Sequence, residues 1–171
     1  LSMFRILGIP ASRARDAAEL RKAGRLILPG VGAFDHAMSL LDNSGLREAL
    51  DERVLVDGIP VLGVCVGMQI MANGSDEGVM DGLGWIPGRV RALSENPACG
   101  SLLRGFEPAP RFYFLHSYYL DCSDATHVAA TASYGIDFAC AVSSGSIHGV
   151  QFHPEKSHRF GAQLLRNFAE L

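Results

Sequence analysis

The chain is 171 residues long, with fifteen Lys and Arg against eighteen Asp and Glu for a net charge of −3, a size that suits one domain, residues 1–171, with a sizeable core. Its basic residues are scattered and no apolar run approaches the ~20 residues of a membrane span, so neither nucleic acid nor a membrane is an expected partner, and no basic-then-apolar leader opens it. Cysteines stand at 65, 99, 122 and 140 with no Cys-x-x-Cys pair, which argues against zinc and suits a reducing cytoplasm; neither metal nor cofactor is expected. In chain order, Leu1, Phe4 and Leu7 recur at helical spacing up to Gly8, so the chain opens in a helix. Residues 10–15 read as a short strand and 16–23 as a helix capped by Asp16. Leu26-Ile27-Leu28 is a buried strand running into Pro29-Gly30-Val31-Gly32. Helices are expected over 34–41 and 46–56, then a strand over 59–64, too short and too tightly bounded by Gly58 and Pro60 for a helix. Another helix runs from there to about Asn73, and residues 82–90 form a loop leading into a strand.

After Pro108 the pattern changes. Residues 112–120, 127–133, 136–143 and 146–152 are four strand-like runs, the middle pair joined at Tyr134-Gly135 as a hairpin. Residues 160–171 close the chain as an amphipathic helix through Phe160, Leu164, Leu165 and Phe168. This order predicts an α/β fold, a mostly parallel sheet flanked by helices with an antiparallel C-terminal extension. In such sheets reactive groups gather beyond the carboxyl ends of the strands, where the loops after Leu28, Val64 and Phe152 would lie.

Gly63-Val64-Cys65-Val66-Gly67 stands where strand becomes helix. Its glycines leave room around Cys65, the place that serine takes in the Gly-x-Ser-x-Gly turns of hydrolases. A sulfur there faces the free N–H groups and positive end of the helix, which favours thiolate over thiol. Taken by itself, Cys65 would equally serve as a small buried hydrophobe. Val150-Gln151-Phe152-His153-Pro154-Glu155 supplies what a nucleophile needs. In extended chain, His153 and Glu155 point to one side, and Pro154 pushes His153 away from helical geometry. Cys65, His153 and Glu155 then fill the roles of nucleophile, base and the group that fixes the base's tautomer. The N–H of Val66 is one expected donor to the negative oxygen formed by attack on a carbonyl. A second is expected from the Pro29–Gly32 loop, at Val31. A phosphate-binding nest is the rival reading of that loop, but the P-loop lysine is missing.

Leu-Pro-Gly-Val-Gly-Ala-Phe (28–34), Gly-Val-Cys-Val-Gly-Met-Gln (63–69), Phe-Tyr-Phe-Leu-His-Ser-Tyr-Tyr (112–119) and Gly-Val-Gln-Phe-His-Pro-Glu-Lys-Ser (149–157) resemble the class I glutamine amidotransferases, with their flavodoxin-like fold. The likeness is greatest to the glutaminase subunits of imidazole glycerol phosphate synthase. The resemblance implies that L-glutamine is hydrolysed through a thioester at Cys65, releasing ammonia to a synthase partner, the cyclase of histidine biosynthesis, in a heterodimer. It maps substrate contacts onto Gly30, Gln69, Glu77, Ser117 and Tyr118, and turns Tyr113 and Lys156 toward the partner. The alternatives are a divergent or N-terminally truncated relative, of weak or no activity, serving another synthase, and a general cysteine hydrolase of peptides or esters.

The sequence departs from the family twice. Members carry a strand and an Asp-Tyr-Gly-type loop ahead of the helix that here starts at Leu1. The expectation is a sheet lacking an inner strand, with unpaired N–H and C=O groups on both sides of a gap that association with itself or with a synthase would close. The family's Pro-His-Met-Gly-Trp-Asn segment, which lies near the partner, is replaced by the shorter stretch from Ser94 to Pro110, without a tryptophan.

Overall fold

A computed structural model describes residues 1–92 and 110–171. The stretch that stands in place of the family's partner-side segment, Ser94 to Pro110, falls outside them but for its last residue, as does Cys99. The described strands form one eight-stranded sheet: β1 (Leu26–Gly30), β2 (Val61–Cys65), β3 (Gly74–Ser75), β4 (Gly88–Ala92), β5 (Tyr118–Cys122), β6 (Val128–Ser133), β7 (Asp137–Ser144) and β8 (Ile147–Val150). Their order is β1-β2-β8-β7-β5-β4-β3, with β6 added beside β7. The helices are α1 (Ser2–Ile6), α2 (Ala17–Arg21), α3 (Phe34–Asn43), α4 (Arg47–Asp51, continued by a π-helical turn to Val56), α5 (Val66–Gln69) and α6 (His158–Ala169).

The sheet is mixed, where a mostly parallel one was expected. β1–β2, β2–β8 and β3–β4 run parallel, whereas β4–β5, β5–β7, β6–β7 and β7–β8 run antiparallel. The cause is local: β6, β7 and β8 follow one another through turns too short for a crossover, so they can pair only as hairpins. The parallel half places the site. All five residues of β2 are buried, and Phe34, Met38, Met68 and Met71 are among the largest fully buried side chains of the core.

Three expectations fail for want of a partner strand. Residues 10–15 form no ladder and are irregular. The expected gap with strands on both sides is absent among the described residues, because β1 is simply the edge of the sheet. Residues 112–117 alternate inward and outward as a strand would, with Phe112, Phe114 and His116 half-buried and Tyr113, Leu115 and Ser117 exposed, yet only from Tyr118 does a ladder begin. The helix expected from the Cys65 turn to about Asn73 stops at Gln69, giving way to turns before β3; other local signals hold. Asp16 caps α2 by accepting the Glu19 N–H at 2.8 Å, while Glu19 Oε2 accepts the Arg15 N–H at 2.8 Å, a reciprocal arrangement that satisfies donors at the helix start.

Candidate active site

β1, β2 and β8 lie side by side and parallel, Gly30 opposite Cys65 and Val64 opposite Val150. The three loops that leave their carboxyl ends therefore start from one place. At Cys65 the backbone takes φ 54° and ψ −117°, a conformation costly for any residue with a Cβ and one that survives only where the surroundings enforce it. Here they do. A Cβ on Gly67 would lie 1.8 Å from the Leu28 carbonyl oxygen, and one on Gly30 would lie 2.4 Å from the Gly67 nitrogen. Backbone is packed directly on backbone, so nothing larger than glycine fits at either position without moving the turn and β1 apart.

The expectation that the helix end leaves Cys65 a thiolate is overturned. Burial is the largest influence and pushes the Cys65 thiol up; the Val66 N–H, hydrogen-bonded to the sulfur, pulls it back, the charge of Glu155 pushes it up, and the Gln151 amide and Lys156 pull it down. The physical reason is that α5 is a single turn of four residues with little dipole to offer, set in a site where Cys65 is almost entirely out of water. The resting group is a thiol that needs a base.

His153 is buried, and its Nδ1 lies 2.9 Å from Glu155 Oε1. A carboxylate only accepts, so Nδ1 carries a proton and Nε2 is the ring nitrogen left to exchange one. Glu155 itself is half-exposed. The loop is tied down by side chain and backbone together. His153 N–H donates to the Tyr113 carbonyl at 2.9 Å. Ser157 Oγ donates to the His153 carbonyl at 2.7 Å and accepts the Tyr113 N–H at 3.0 Å. Phe112 stacks on Phe152 with ring centres 3.9 Å apart. Among the described residues no hydrogen bond joins Cys65 to the His153 ring; such bonds commonly form only when substrate is bound.

A cysteine on a strained strand-to-helix turn, beside a histidine held by a glutamate two residues on, agrees with what comparison with known proteins finds. Residues 6–171 match the family described as glutamine amidotransferase class-I.

The chain belongs to that family.

It is 48% identical to the imidazole glycerol phosphate synthase subunit HisH of Bdellovibrio bacteriovorus over 99% of this chain and 92% of that one, and 48% identical to the HisH subunit of Leptospira borgpetersenii over 90% and 84%. Among solved structures it is similar to a glutamine amidotransferase of Thermotoga maritima, with TM-score 0.61 at 16% identity, covering 95% of this chain and 81% of that one, a likeness of fold. As a class I glutamine amidotransferase the chain is a glutaminase.

The remaining residues singled out by the amidotransferase motifs are distributed unevenly. Gln69 is buried beside the nucleophile, but its Nε2 is already engaged, donating to the Tyr118 carbonyl at 2.9 Å and to Gln151 Oε1 at 3.0 Å. Tyr118 opens β5 and Ser117 is exposed just before it. Glu77 is exposed, and its Oε2 accepts the N–H of Phe34, the first residue of α3, at 2.9 Å. Val31 is 75% exposed on the outer lip of the β1 loop. Lys156 Nζ lies 5.0 Å over the ring of the exposed Tyr113, a cation–π contact. No cluster of three His, Cys, Asp or Glu able to hold a metal exists among the described residues.

Two residues escaped the sequence. Asp35 accepts the N–H groups of Val79 and Met80 at 3.0 and 3.1 Å, clasping the loop that Glu77 holds from the other side; nothing local signals partners 44 and 45 positions away. Gln151 is fully buried against Cys65. Its only signal is a long polar side chain closing a mostly apolar run.

Proposed function

We propose that this chain is the glutaminase subunit of an imidazole glycerol phosphate synthase, hydrolysing L-glutamine and passing the ammonia to a cyclase subunit for histidine biosynthesis. The observation that carries the reading of the site is the β2–β8 pairing, which sets the Cys65 turn beside a His153 whose Nδ1 is held by Glu155. Nε2 of His153 takes the proton of the Cys65 thiol, and the sulfur attacks the carboxamide carbon of glutamine. The oxygen that becomes negative is met by the N–H of Val66, turned from the sulfur, and by the peptide N–H of Val31 beside Gly30. His153 then gives its proton to the leaving nitrogen, ammonia departs, and a thioester remains on Cys65. Water, deprotonated by the same Nε2, releases glutamate and restores the thiol.

Gly30, Gln69, Glu77, Ser117 and Tyr118 line the approach of the substrate. With both N–H groups of Gln69 spent on the protein, its Oε1 is what remains to accept from the substrate. Glu77 likewise has Oε1 left for an α-ammonium. Tyr113 and Lys156 stack on the outer side of the His153 loop, where the cyclase would dock. We place the reaction in the cytoplasm, where the thiols of Cys65 and Cys122 stay out of disulfides.

The test is to treat the protein with a diazo-ketone analogue of glutamine and map the adduct by mass spectrometry. A single adduct on Cys65, with Cys65→Ala losing at least about 10⁴-fold in glutamine turnover, is expected. An unlabelled Cys65, under conditions where a related glutaminase reacts, sinks the reading. Turnover of peptides or esters with glutamine untouched would move the chain to the general cysteine hydrolases.

A further inference from the structure

The triad leaves one neighbour of the nucleophile without a task. Gln151 directly follows β8, whose last residue Val150 pairs with Val64, the neighbour of Cys65, and its side chain is wholly out of water. Its Nε2 lies 3.7 Å from Cys65 Sγ, and its Oε1 lies 3.0 Å from Gln69 Nε2. The backbone N–H of Gln151 is itself tied to the Cys140 carbonyl at 2.9 Å, so the residue is held at both ends.

An amide has two faces, and which one meets the sulfur decides its effect. Here the choice is fixed from outside. The Tyr118 carbonyl can only accept, so the group of Gln69 that lies 2.9 Å from it must be the NH₂. That same NH₂ reaches Gln151, where it requires an oxygen. The oxygen of Gln151 is thereby turned toward Gln69, and its NH₂ toward the sulfur. A flip of either amide would set two donors or two acceptors against each other between buried side chains. The orientation of a backbone carbonyl in β5 is thus passed through two side chains to the nucleophile.

We propose that Gln151 is a positioning residue of the glutaminase reaction: its side-chain N–H, locked by Gln69 and the Tyr118 carbonyl, is aimed at Cys65 to hold and stabilise the sulfur once it is a thiolate. Need for such a donor follows from the burial of Cys65, which opposes ionisation, while the Val66 N–H leaves the sulfur for the developing oxyanion during attack. Gln151 stays. A hydrogen bond to an ion is worth about twice one between neutral groups, so the contact strengthens as the proton moves to His153. Gln69 acts on the sulfur through Gln151, in addition to any contact of its own with substrate.

The inference rests on Cys65 being the nucleophile, and its test separates the two. The rate of Cys65 alkylation by iodoacetamide is measured against pH, site by site by mass spectrometry, in the full chain and in Gln151→Met, Gln151→Glu and Gln69→Met. Gln151→Met keeps the length and removes the donor; its alkylation midpoint is expected to rise by about one unit, a tenfold slower reaction at neutral pH. Gln151→Glu places a carboxylate against the sulfur and is expected to raise the midpoint further. Gln69→Met frees the Gln151 amide to turn and should give part of the same shift. A purely structural role would lower the melting temperature and leave the midpoint in place, and that result would overturn the proposal. If Gln151→Met does not fold, Gln69→Met decides: a midpoint equal to the parent's, with only KM for glutamine raised, refutes the relay. Labelling of Cys65 by the glutamine analogue, with an unchanged pH profile in every variant, discards Gln151 and keeps the glutaminase.

Discussion

The turn that carries Cys65 and the loop that carries His153 leave neighbouring strands at the same end of the sheet, and they are held by different means. The Cys65 turn is fixed by close approach of backbone to backbone, with φ 54° at the cysteine and no room for a Cβ at Gly67. His153 has an ordinary extended backbone, φ −97° and ψ 99°, and is placed by hydrogen bonds through Tyr113, Ser157 and Glu155. The nucleophile must stand at one point, and its strained conformation persists there because the close-packed surroundings over-determine it. The base must turn and exchange a proton, for which hydrogen bonds suffice. A steric constraint fails all at once, whereas a set of hydrogen bonds weakens by steps.

Substitution at Gly67 tests the steric side most severely. In Gly67→Ala the new methyl group would overlap the Leu28 carbonyl, so β1 and the turn must separate. A loss of about 3 kcal/mol or more in urea unfolding is expected, together with loss of turnover. A Gly67→Ala protein of parental stability and activity would show that the turn can relax and would erase the contrast. The hydrogen-bonded side is probed by Glu155→Gln. Its amide oxygen can still accept from Nδ1, and the residue is half-exposed, so turnover should fall only by about 10- to 100-fold with unfolding little changed; a loss equal to that of Cys65→Ala would mean that the charge itself is required.

A milder effect is expected in the antiparallel half, away from the chemistry. Burial, then the charges of Asp121 and Asp124, push the Cys122 thiol up to about 12 from its ordinary 9.0. The unfolded chain loses that proton near pH 9 and the folded one only near 12, so unfolding is favoured as pH rises between them. Stability to urea should decline over that window, and Cys122→Ala should flatten the slope. An equal slope in the variant would assign the alkaline loss elsewhere.

What the sequence makes legible is local. The Gly-x-Cys-x-Gly turn, the His-Pro-Glu loop, the Tyr134-Gly135 hairpin, the Asp16 cap and the last amphipathic helix each announce themselves within a few residues. What it hides depends on distant pairing. Residues 10–15 and 112–117 have the composition or alternation of strands, but a strand exists only where a second one offers its N–H and C=O groups, and sequence periodicity says nothing of that. The parallel share of the sheet is overestimated for the same reason. Position at a helix start points to a thiolate at Cys65, whereas the decisive influence, burial, comes from β1 and β8. Gln151 stands inside a recognisable motif, yet its task depends on Gln69, 82 positions away.

The adjacency of β2 and β8 has a consequence for the protein's birth. Val61 pairs with Ile147, so the strand that bears the nucleophile waits for a partner made much later. At roughly 5–20 residues per second of synthesis, that wait is on the order of ten seconds. During it β2, apolar along its length, has β1 on one side and nothing on the other, a stage at which a ribosome-bound chain needs shielding from aggregation. The delay also acts as a safeguard. Neither His153 nor Gln151 exists beside Cys65 until β8 has docked, so an unfinished chain carries an unassisted thiol and consumes no glutamine.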